Sequence, residues 1–555
     1  MKETEHKVLA MYDVRGIQNY IYRTDKVQDA IGASYIVENI ILEALENSVE
    51  REKDVNSYQT KWYDKEGPLN FAEKNMDVQV LFIGGGNAYV LFRNKDLCIQ
   101  INQKMSKYVL EHTYSLQLAV AICEKSQCYA DDYKDLQSKM RMNKANMVLS
   151  KPFGAIPVMK VELKTGYPAT MIDSRSKKEM GEETRLKQEA YRNKRKAKGN
   201  SFERDEQIFD NLVTQKGVDS RLAVVHIDGN SMGVRIRQIV EGIEDYTEAV
   251  NKMREISFQI MNSYQETFQN MHDHFTDRQS GQEGIPNKEG KYVVREILVA
   301  GDDVTYVCNA RIALESVKYF SRDIAKKAMV RENSAKSLKK YGFSVCAGVA
   351  FIGSHFPFRI GYDVAEQCCA SAKKRAKSKE CKDTIKFLSE TGKYVEMDRI
   401  GNFVDFQICK NIQSANFEEM RKREYVTRSG EQLMIRPFFI RSGRSAEEEP
   451  LEEKNNKEIY SYEKFEKGLQ YFMQGADTFP RRFALQLRNT YPLGENQVEL
   501  LNSFLQSRGW IMPDGEKQLY YKEDKKSIAK WYDVLEMLDY CMAPTEEETE
   551  GGDAK

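Results

Sequence analysis

The sequence predicts an α+β chain built from two copies of one unit, strand–helix–hairpin–helix–strand, followed by a helical C-terminal region. Three observations carry this. The apolar runs Lys7 to Val14 and Leu222 to Asp228 each close on an aspartate and lead through glycine into a helical stretch. Two pairs of β-rich runs flank the short turns Gly84-Gly85-Gly86-Asn87 and Gly301-Asp302-Asp303. The spacings agree, since Asp13 to Asp228 is 215 residues and Gly86 to Asp302 is 216, as expected of a duplication.

In the first copy, residues 1–150, Lys7 to Val14 reads as a strand and Gly16 to about Leu45 as helix. Val78 to Phe82 and Ala88 to Phe92 form the hairpin, Leu97 to Glu111 a helix, and Ser115 to Ile122 the last strand. Residues 151–217 change character, with the turn-rich Lys164 to Thr170 and then a basic run. That run holds Arg185, Lys187, Arg192, Lys194, Arg195, Lys196 and Lys198. In the second copy, residues 218–410, Leu222 to Asp228 is nearly all apolar, as a strand buried on both faces requires. A helix follows to about Met271, then the hairpin Val293 to Cys308. Ala310 to Val330 is helical, Phe343 to Phe351 a strand, and Arg359 to Lys377 a helix. Residues 411–543 have helical patterning, and the acidic tail 544–555 reads as disordered.

Composition sets the outer limits. The 555 residues carry 84 Lys and Arg against 84 Asp and Glu, a net charge of zero, which excludes holding nucleic acid by bulk positive charge. A hydrophobic content of 41% with 10% aromatics excludes general disorder. The charged start Met1 to Lys7 is no signal peptide, and no apolar run reaches the ~20 residues of a spanning helix. The 10 Cys include no CxxC pair, which points to reduced thiols and a cytoplasmic protein.

Asp228, Asp302 and Asp303 are the candidate catalytic and metal-binding residues. The hairpin strand should lie beside the Asp228 strand at about 4.8 Å, within reach of one or two hard cations. Close carboxylates cannot all stay ionised without positive charge between them. Mg²⁺ or Mn²⁺ suits such a site, and two ions about 3.5–4 Å apart would serve phosphoryl or nucleotidyl transfer. Gly229, Asn230, Ser231 and Gly233 offer backbone N–H groups to a triphosphate, with Gly301 at the hairpin tip. Lys373 and Lys377, one helical turn apart, share a face that could reach phosphates. The same residues also read as ordinary turns and a cation-rich helix end. In the first copy Gly84, Gly85, Gly86 and Asn87 replace the acids, so that copy should lack metal chemistry but could hold an acceptor nucleotide. The basic run could touch RNA or be a solvated helix. His226 reads as a core histidine, and His272-Asp273 with His274 as a solvated helix end.

The ordered set of motifs resembles a known family, the large polymerase/cyclase subunit of type III CRISPR effector complexes and its stand-alone palm-domain relatives. The motifs are Gly16-Ile17-Gln18-Asn19-Tyr20-Ile21 with Gly32-Ala33-Ser34, the Gly84 to Asn87 hairpin, Thr165-Gly166-Tyr167-Pro168-Ala169, Asp228 to Gly233, and Gly301-Asp302-Asp303. The resemblance covers roughly residues 7 to 410. It implies two ferredoxin-like palm domains of the nucleotidyl cyclase or GGDEF-like kind, packed as a pseudo-dimer, the second catalytic and the first degenerate. It implies joining of ATP into cyclic oligoadenylate, with Asp228, Asp302 and Asp303 on the metals, Lys373 on phosphates and the first-palm glycines around the acceptor. Partners would be ATP, RNA and other effector subunits, or a second copy if the chain acts alone, with no membrane. The family's HD nuclease domain and its zinc-binding Cys pairs have no counterpart here, so no DNA cleavage is expected, and Ala300 stands where a first Gly is usual. The competing readings are a non-catalytic RNA-binding scaffold subunit and a template-directed polymerase.

Overall fold

The two apolar runs that close on aspartate each become the central strand of a sheet, where both faces are covered and both edges hydrogen-bonded. The computed structural model describes residues 7–23, 26–84, 86–148, 156–173, 177–197, 212–213, 220–240, 243–279, 294–327, 343–388, 394–410, 417–443, 458–475, 478–523 and 526–541. The expected disordered tail 544–555 lies outside these residues.

In the first half, β1 (Val8–Arg15) passes through Gly16, at a left-handed φ of 81°, into α1 (Ile17–Tyr22) and α2 (Val27–Glu50). Then come β2 (Tyr58–Gln59), β3 (Val78–Gly84), β4 (Asn87–Phe92), α3 (Lys95–Thr113), β5 (Gln117–Glu124) and α4 (Tyr129–Asn146). The strand order is β2-β3-β4-β1-β5, with β4 and β5 antiparallel to β1. A small hairpin, β6 (Ala169–Ile172) and β7 (Glu179–Gly181), leads into α5 (Glu182–Ala197).

The second half begins with β8 (Arg221–Gly229), α6 (Met232–Val240) and α7 (Tyr246–Gln279). The single helix expected here is two. The Asp245 side chain accepts from the Glu248 N–H at 2.7 Å and starts α7 afresh as a cap. β9 (Val294–Ala300), β10 (Asp303–Asn309), α8 (Ala313–Lys326), β11 (Val345–Gly353) and α9 (Phe358–Ala376) complete the unit. The order β9-β10-β8-β11 repeats β3-β4-β1-β5 strand for strand. The small hairpin β12 (Asp383–Leu388) and β13 (Tyr394–Arg399) precedes β14 (Asn402–Ile408).

The C-terminal region is less separate and less helical than its sequence suggests. After α10 (Phe417–Tyr425) comes β15 (Phe438–Ile440), which pairs antiparallel with β14, itself parallel to β11. The second sheet therefore has six strands and crosses the expected boundary at 411. α11 (Tyr462–Met473), α12 (Arg481–Thr490), α13 (Glu495–Ser507), the hairpin β16 (Tyr520–Glu523) and β17 (Lys526–Ala529), and α14 (Tyr532–Met537) pack beyond it. The physical reason lies in β11, which would otherwise expose a sheet edge. No helix among the described residues is long and apolar enough to cross a membrane.

The halves meet reciprocally, with α2 against β9 and α7 against β3. Register slips between Val80 and Phe82 in the β3–β4 pair, a place where ladder carbonyls lose partners. Arg254 of α7 supplies the missing donors. Its buried guanidinium donates to the Leu81 carbonyl, to Val80 at 2.7 Å and to Leu69 at 2.7 Å. Burial pulls its pKa down to about 10. Asn251, one turn earlier, bonds both backbone groups of Phe71, accepting at 2.6 Å and donating at 3.1 Å.

The basic run expected to be a solvated helix or an RNA contact is mostly neither. Within α5, Lys187 is fully buried and donates to the Tyr20 carbonyl and to Glu183, each at 2.6 Å. Lys194 is buried and meets Glu296 at 3.0 Å, while Arg185 is held by Glu182 and Glu189. Only Arg192 and Lys196 are exposed among the described members of the run, and Lys198 lies outside them. Gly32 explains the docking, because a Cβ there would stand 1.9 Å from the Lys187 carbonyl oxygen. The Gly32-Ala33-Ser34 motif is thus a seat for α5.

Gly348 has the same role for α9. A Cβ on it would stand 1.9 Å from the Ala365 carbonyl oxygen and 2.3 Å from the Cys369 nitrogen. Gly348→Ala is expected to push α9 off β11 and cost about 1–3 kcal/mol of stability as overpacking. Thermal and denaturant unfolding against wild type checks this, and an unchanged midpoint contradicts it.

Candidate functional site

The site grows from one strand pairing. β8 and β10 run antiparallel with Asp228 directly opposite Asp303 and His226 opposite Thr305. Alternation along each strand puts these four side chains on one face. Ala300 pairs with Asp303, so the β9–β10 loop is the two residues Gly301-Asp302. Gly301 sits at a φ of 62°, the first central position of a hairpin turn that favours glycine there.

Helix α9 covers this face. Its Lys373 bonds the Asp228 carboxylate, and although burial opposes the charge, Asp228 holds the lysine pKa above its usual value. Asp303 Oδ1 is sealed from solvent and has no hydrogen-bond partner. His226 Nδ1 lies 3.4 Å from that oxygen and 3.1 Å from Thr305 Oγ1. His226 is buried as expected, yet it touches the site, and burial lowers its pKa. Burial, reinforced by Asp228, pushes both Asp302 and Asp303 up to about 7.

Asp302 lies at the turn, against Gly229. A Cβ on Gly229 would meet the Tyr264 hydroxyl at 2.7 Å, Met232 Cγ at 2.8 Å and Asp302 Cβ at 2.9 Å. Among the described residues no three His, Cys, Asp or Glu side chains group as a metal cluster. Asp228 and Asp303 form a facing pair, and Asp302 at the turn is close enough for its charge to interact with Asp228.

The nucleotide-binding candidates separate in the same way. Asn230 is fully buried; its N–H donates to the Ser344 carbonyl at 2.9 Å and its amide to the Gly401 carbonyl at 3.1 Å. Its amide and backbone N–H are spent on these structural contacts. The Gly229 N–H is likewise spent on the Asp302 carbonyl at 3.2 Å. Ser231, at a φ of 55°, turns the chain into α6, and Gly233 is exposed with open space beside it. Lys377, at the C-terminal cap of α9, is exposed and forms no bond to the carboxylates.

Asp303 lines a cleft of about 430 Å³ between the halves. One wall is the start of α1, from Gly16 to Asn19, and the other is α9 with Arg359 and Glu366, Asp303 lying between them. Tyr22 of α1 stacks on Tyr362 of α9 with ring centroids 3.4 Å apart. The Gly16 to Ile21 motif thus builds a wall of a site whose acids lie in the other half. Tyr22, Tyr362 and Glu366 escaped sequence reading, because only the packing of the halves brings them here.

The first half repeats the arrangement with one change. Asp13 faces Asn87 across β1 and β4, and Lys144 of α4 bonds the Asp13 carboxylate. A Cβ on Gly84 would stand 3.4 Å from Ser257 of α7, Gly86 takes a φ of 77°, and Gly85 is outside the described residues. Lys144 escaped notice because the sequence comparison stopped at the last strand of the repeat; one helix further, both halves show a lysine. His272 and Asp273 contact each other at 3.2 Å inside α7, and His274 stacks on Tyr319, far from the carboxylates in the chain.

This geometry defines a palm-domain protein, with acids at a hairpin tip and the adjoining strand end. Residues 221–386 match the family described as Cas10/Cmr2, second palm domain, a segment that holds the facing carboxylates and Lys373. Over that segment the chain resembles the large, palm-bearing subunit of type III CRISPR effector complexes. Similar solved structures include Csm1 of T. onnurineus, at 13% identity and a TM-score of 0.49, covering 97% of this chain and 69% of that one. A Csm1–Csm4 cassette with AMPPNP matches at 14% identity and a TM-score of 0.48, covering 98% and 70%. A cassette with pppApA matches at 13% identity and a TM-score of 0.39, covering 67% of this chain and 54%, about half, of that one. No curated protein matches the chain.

Proposed function

We propose that the chain is a metal-dependent nucleotidyltransferase that condenses ATP into cyclic oligoadenylate, a messenger in type III CRISPR-like antiviral defence. The observation that carries this reading is the facing pair Asp228 and Asp303, of which Asp303 keeps one buried, unpaired oxygen and lines a cleft walled by both halves. The donor set fits Mg²⁺ or Mn²⁺, which take one or two carboxylates and complete their shell with waters and substrate phosphates. Asp228 and Asp303 would hold one ion, and a second would draw on Asp302. Bound there, the metal supplies charge stabilisation to the transferring phosphoryl group.

The chain's own residues would do the positioning. Lys373 and the N–H groups at the start of α6 face phosphates, a favourable place for negative charge. The acceptor would lie by Gly84, Gly86 and Asn87 of the first half. The two walls hold one ATP with its 3′-oxygen toward the α-phosphorus of another. The new O–P bond forms as the bond to the β-phosphate bridge breaks, pyrophosphate leaves, and the hydroxyl proton passes to water. Other effector subunits would be the partners, with RNA as the activating signal.

Incubating the purified chain with ATP and Mg²⁺ or Mn²⁺, with and without target RNA and partner subunits, should yield pyrophosphate and cyclic oligoadenylates by mass spectrometry. Absence of any condensed product under every condition would reject the reading.

A further inference from the structure

The two halves carry the same ion pair in the same place, and differ in the charge around it. In the first half Lys144, on the helix after the last repeated strand, bonds Asp13 opposite Asn87. In the second half Lys373, on the corresponding helix, bonds Asp228 opposite Asp303. One ammonium against one carboxylate closes the first set at zero. In the second, two ionised facing carboxylates against one ammonium leave a negative charge, and Asp302 at the same turn adds another.

We propose that Lys373 is a resident counter-ion that gates the carboxylate pair. Its ammonium holds the Asp228 oxygen that a divalent cation would use, and it leaves that oxygen when the cation enters, carrying its charge to the phosphates of the incoming nucleotide. This rests on the reading that the pair holds a metal. Three observations support the movement. Asp303 keeps a sealed oxygen without a partner, so the pair is incompletely neutralised while Lys373 stays on Asp228. The Lys373 side chain is 23% exposed and that of Asp228 34%, so both are partly open to solvent. A lysine is a compact charge on a flexible four-carbon stem and can change partner without moving the helix.

The first half shows the same device locked. Asn87 offers no second negative charge, so nothing attracts a dication strongly enough to displace Lys144. An ammonium and a metal ion on the same carboxylate repel at contact distance, by several kcal/mol at an effective dielectric of about 20. Metal alone therefore binds weakly to the second half, and nucleotide strengthens it by offering Lys373 another partner. By linkage, metal strengthens nucleotide binding by the same factor.

The test is Mn²⁺ binding to the full chain, read by electron paramagnetic resonance without nucleotide. Lys373→Met should tighten Mn²⁺ by about tenfold or more, and a non-hydrolysable ATP analogue should help the variant less than the wild type. Lys373→Gln, which keeps a donor without charge, serves if the methionine variant does not fold. Lys144→Met should leave Mn²⁺ affinity unchanged, and Asp228→Asn should remove the site. Equal or weaker Mn²⁺ binding by both Lys373 variants overturns the gate while leaving the carboxylate site standing. No Asp228-dependent Mn²⁺ binding in any form, even with ATP analogue, overturns both the gate and the metal site beneath it.

Discussion

Asp303→Asn is expected to give a folded protein that joins ATP at least roughly a thousandfold more slowly than wild type, the scale of removing a central electrostatic group. The amide keeps the size of the carboxylate but can neither share a dication with Asp228 nor balance one. The stability effect should run the other way. In the fold the carboxyl of Asp303 is pushed up to about 7 by burial and by Asp228, against about 3.9 in an unfolded chain. A raised acid is favoured by the fold in its protonated form, so ionising it costs stability at neutral pH. In EDTA at about pH 8 the asparagine variant should therefore melt above wild type. That advantage should shrink as pH falls through about 7 and vanish below the ordinary carboxylate range. Product mass spectrometry and a pH series of melting curves check the two halves of the claim. A variant that loses activity and stability together would make Asp303 a structural residue.

Arg436→Met is expected to be the most destabilising single change outside the site. Arg436 is buried between β14 and α14 and bonds Asp533, with Glu536 at 3.5 Å and Asp405 at 3.6 Å. Its guanidinium lies over the rings of Phe406, at 4.3 Å, and Tyr425, at 4.6 Å. Asp405 has Arg421 as a second partner at 2.7 Å, but among the described contacts Asp533 relies on Arg436 alone for countercharge. Removing one partner of a buried ionic set leaves uncompensated charge and costs about 3–5 kcal/mol. Hydrogen exchange should show protection lost first in β15 and α14, and adding Asp533→Asn should restore part of it. Uniform loss across both sheets would contradict a local role. The result matters for function because β14 is hydrogen-bonded to β11, on which α9 and its Lys373 rest.

The strands that carry the acids were legible from residues alone. Leu222 to Asp228 is apolar at nearly every position, and only a strand buried on both faces explains that run. Gly301 before two aspartates marks the hairpin tip, because glycine takes the positive φ that the turn needs. The repeat was legible too, through its spacing, and the strand order of the two sheets follows it. The C-terminal region was not, since Phe438 to Ile440 is a three-residue strand whose partners, Asn402 to Val404, lie far earlier in the chain. The basic run from Arg185 to Lys198 misled for a similar reason. Nothing local says that Lys187 lies beneath α2 on Gly32, a contact between residues far apart in the chain.

By itself the sequence determined which residues could form strands, where the two turns fall and which half keeps the acids, because these depend on periodicity and backbone preference over a few neighbouring residues. Tertiary structure alone decided that Asp228 faces Asp303 with Asp302 at the adjoining turn, that Lys373 and Lys144 lie on equivalent aspartates, and that Tyr22 and Tyr362 close the cleft from opposite halves. Register and packing fix those contacts, and a shift of one residue in a strand would turn its aspartate to the opposite face.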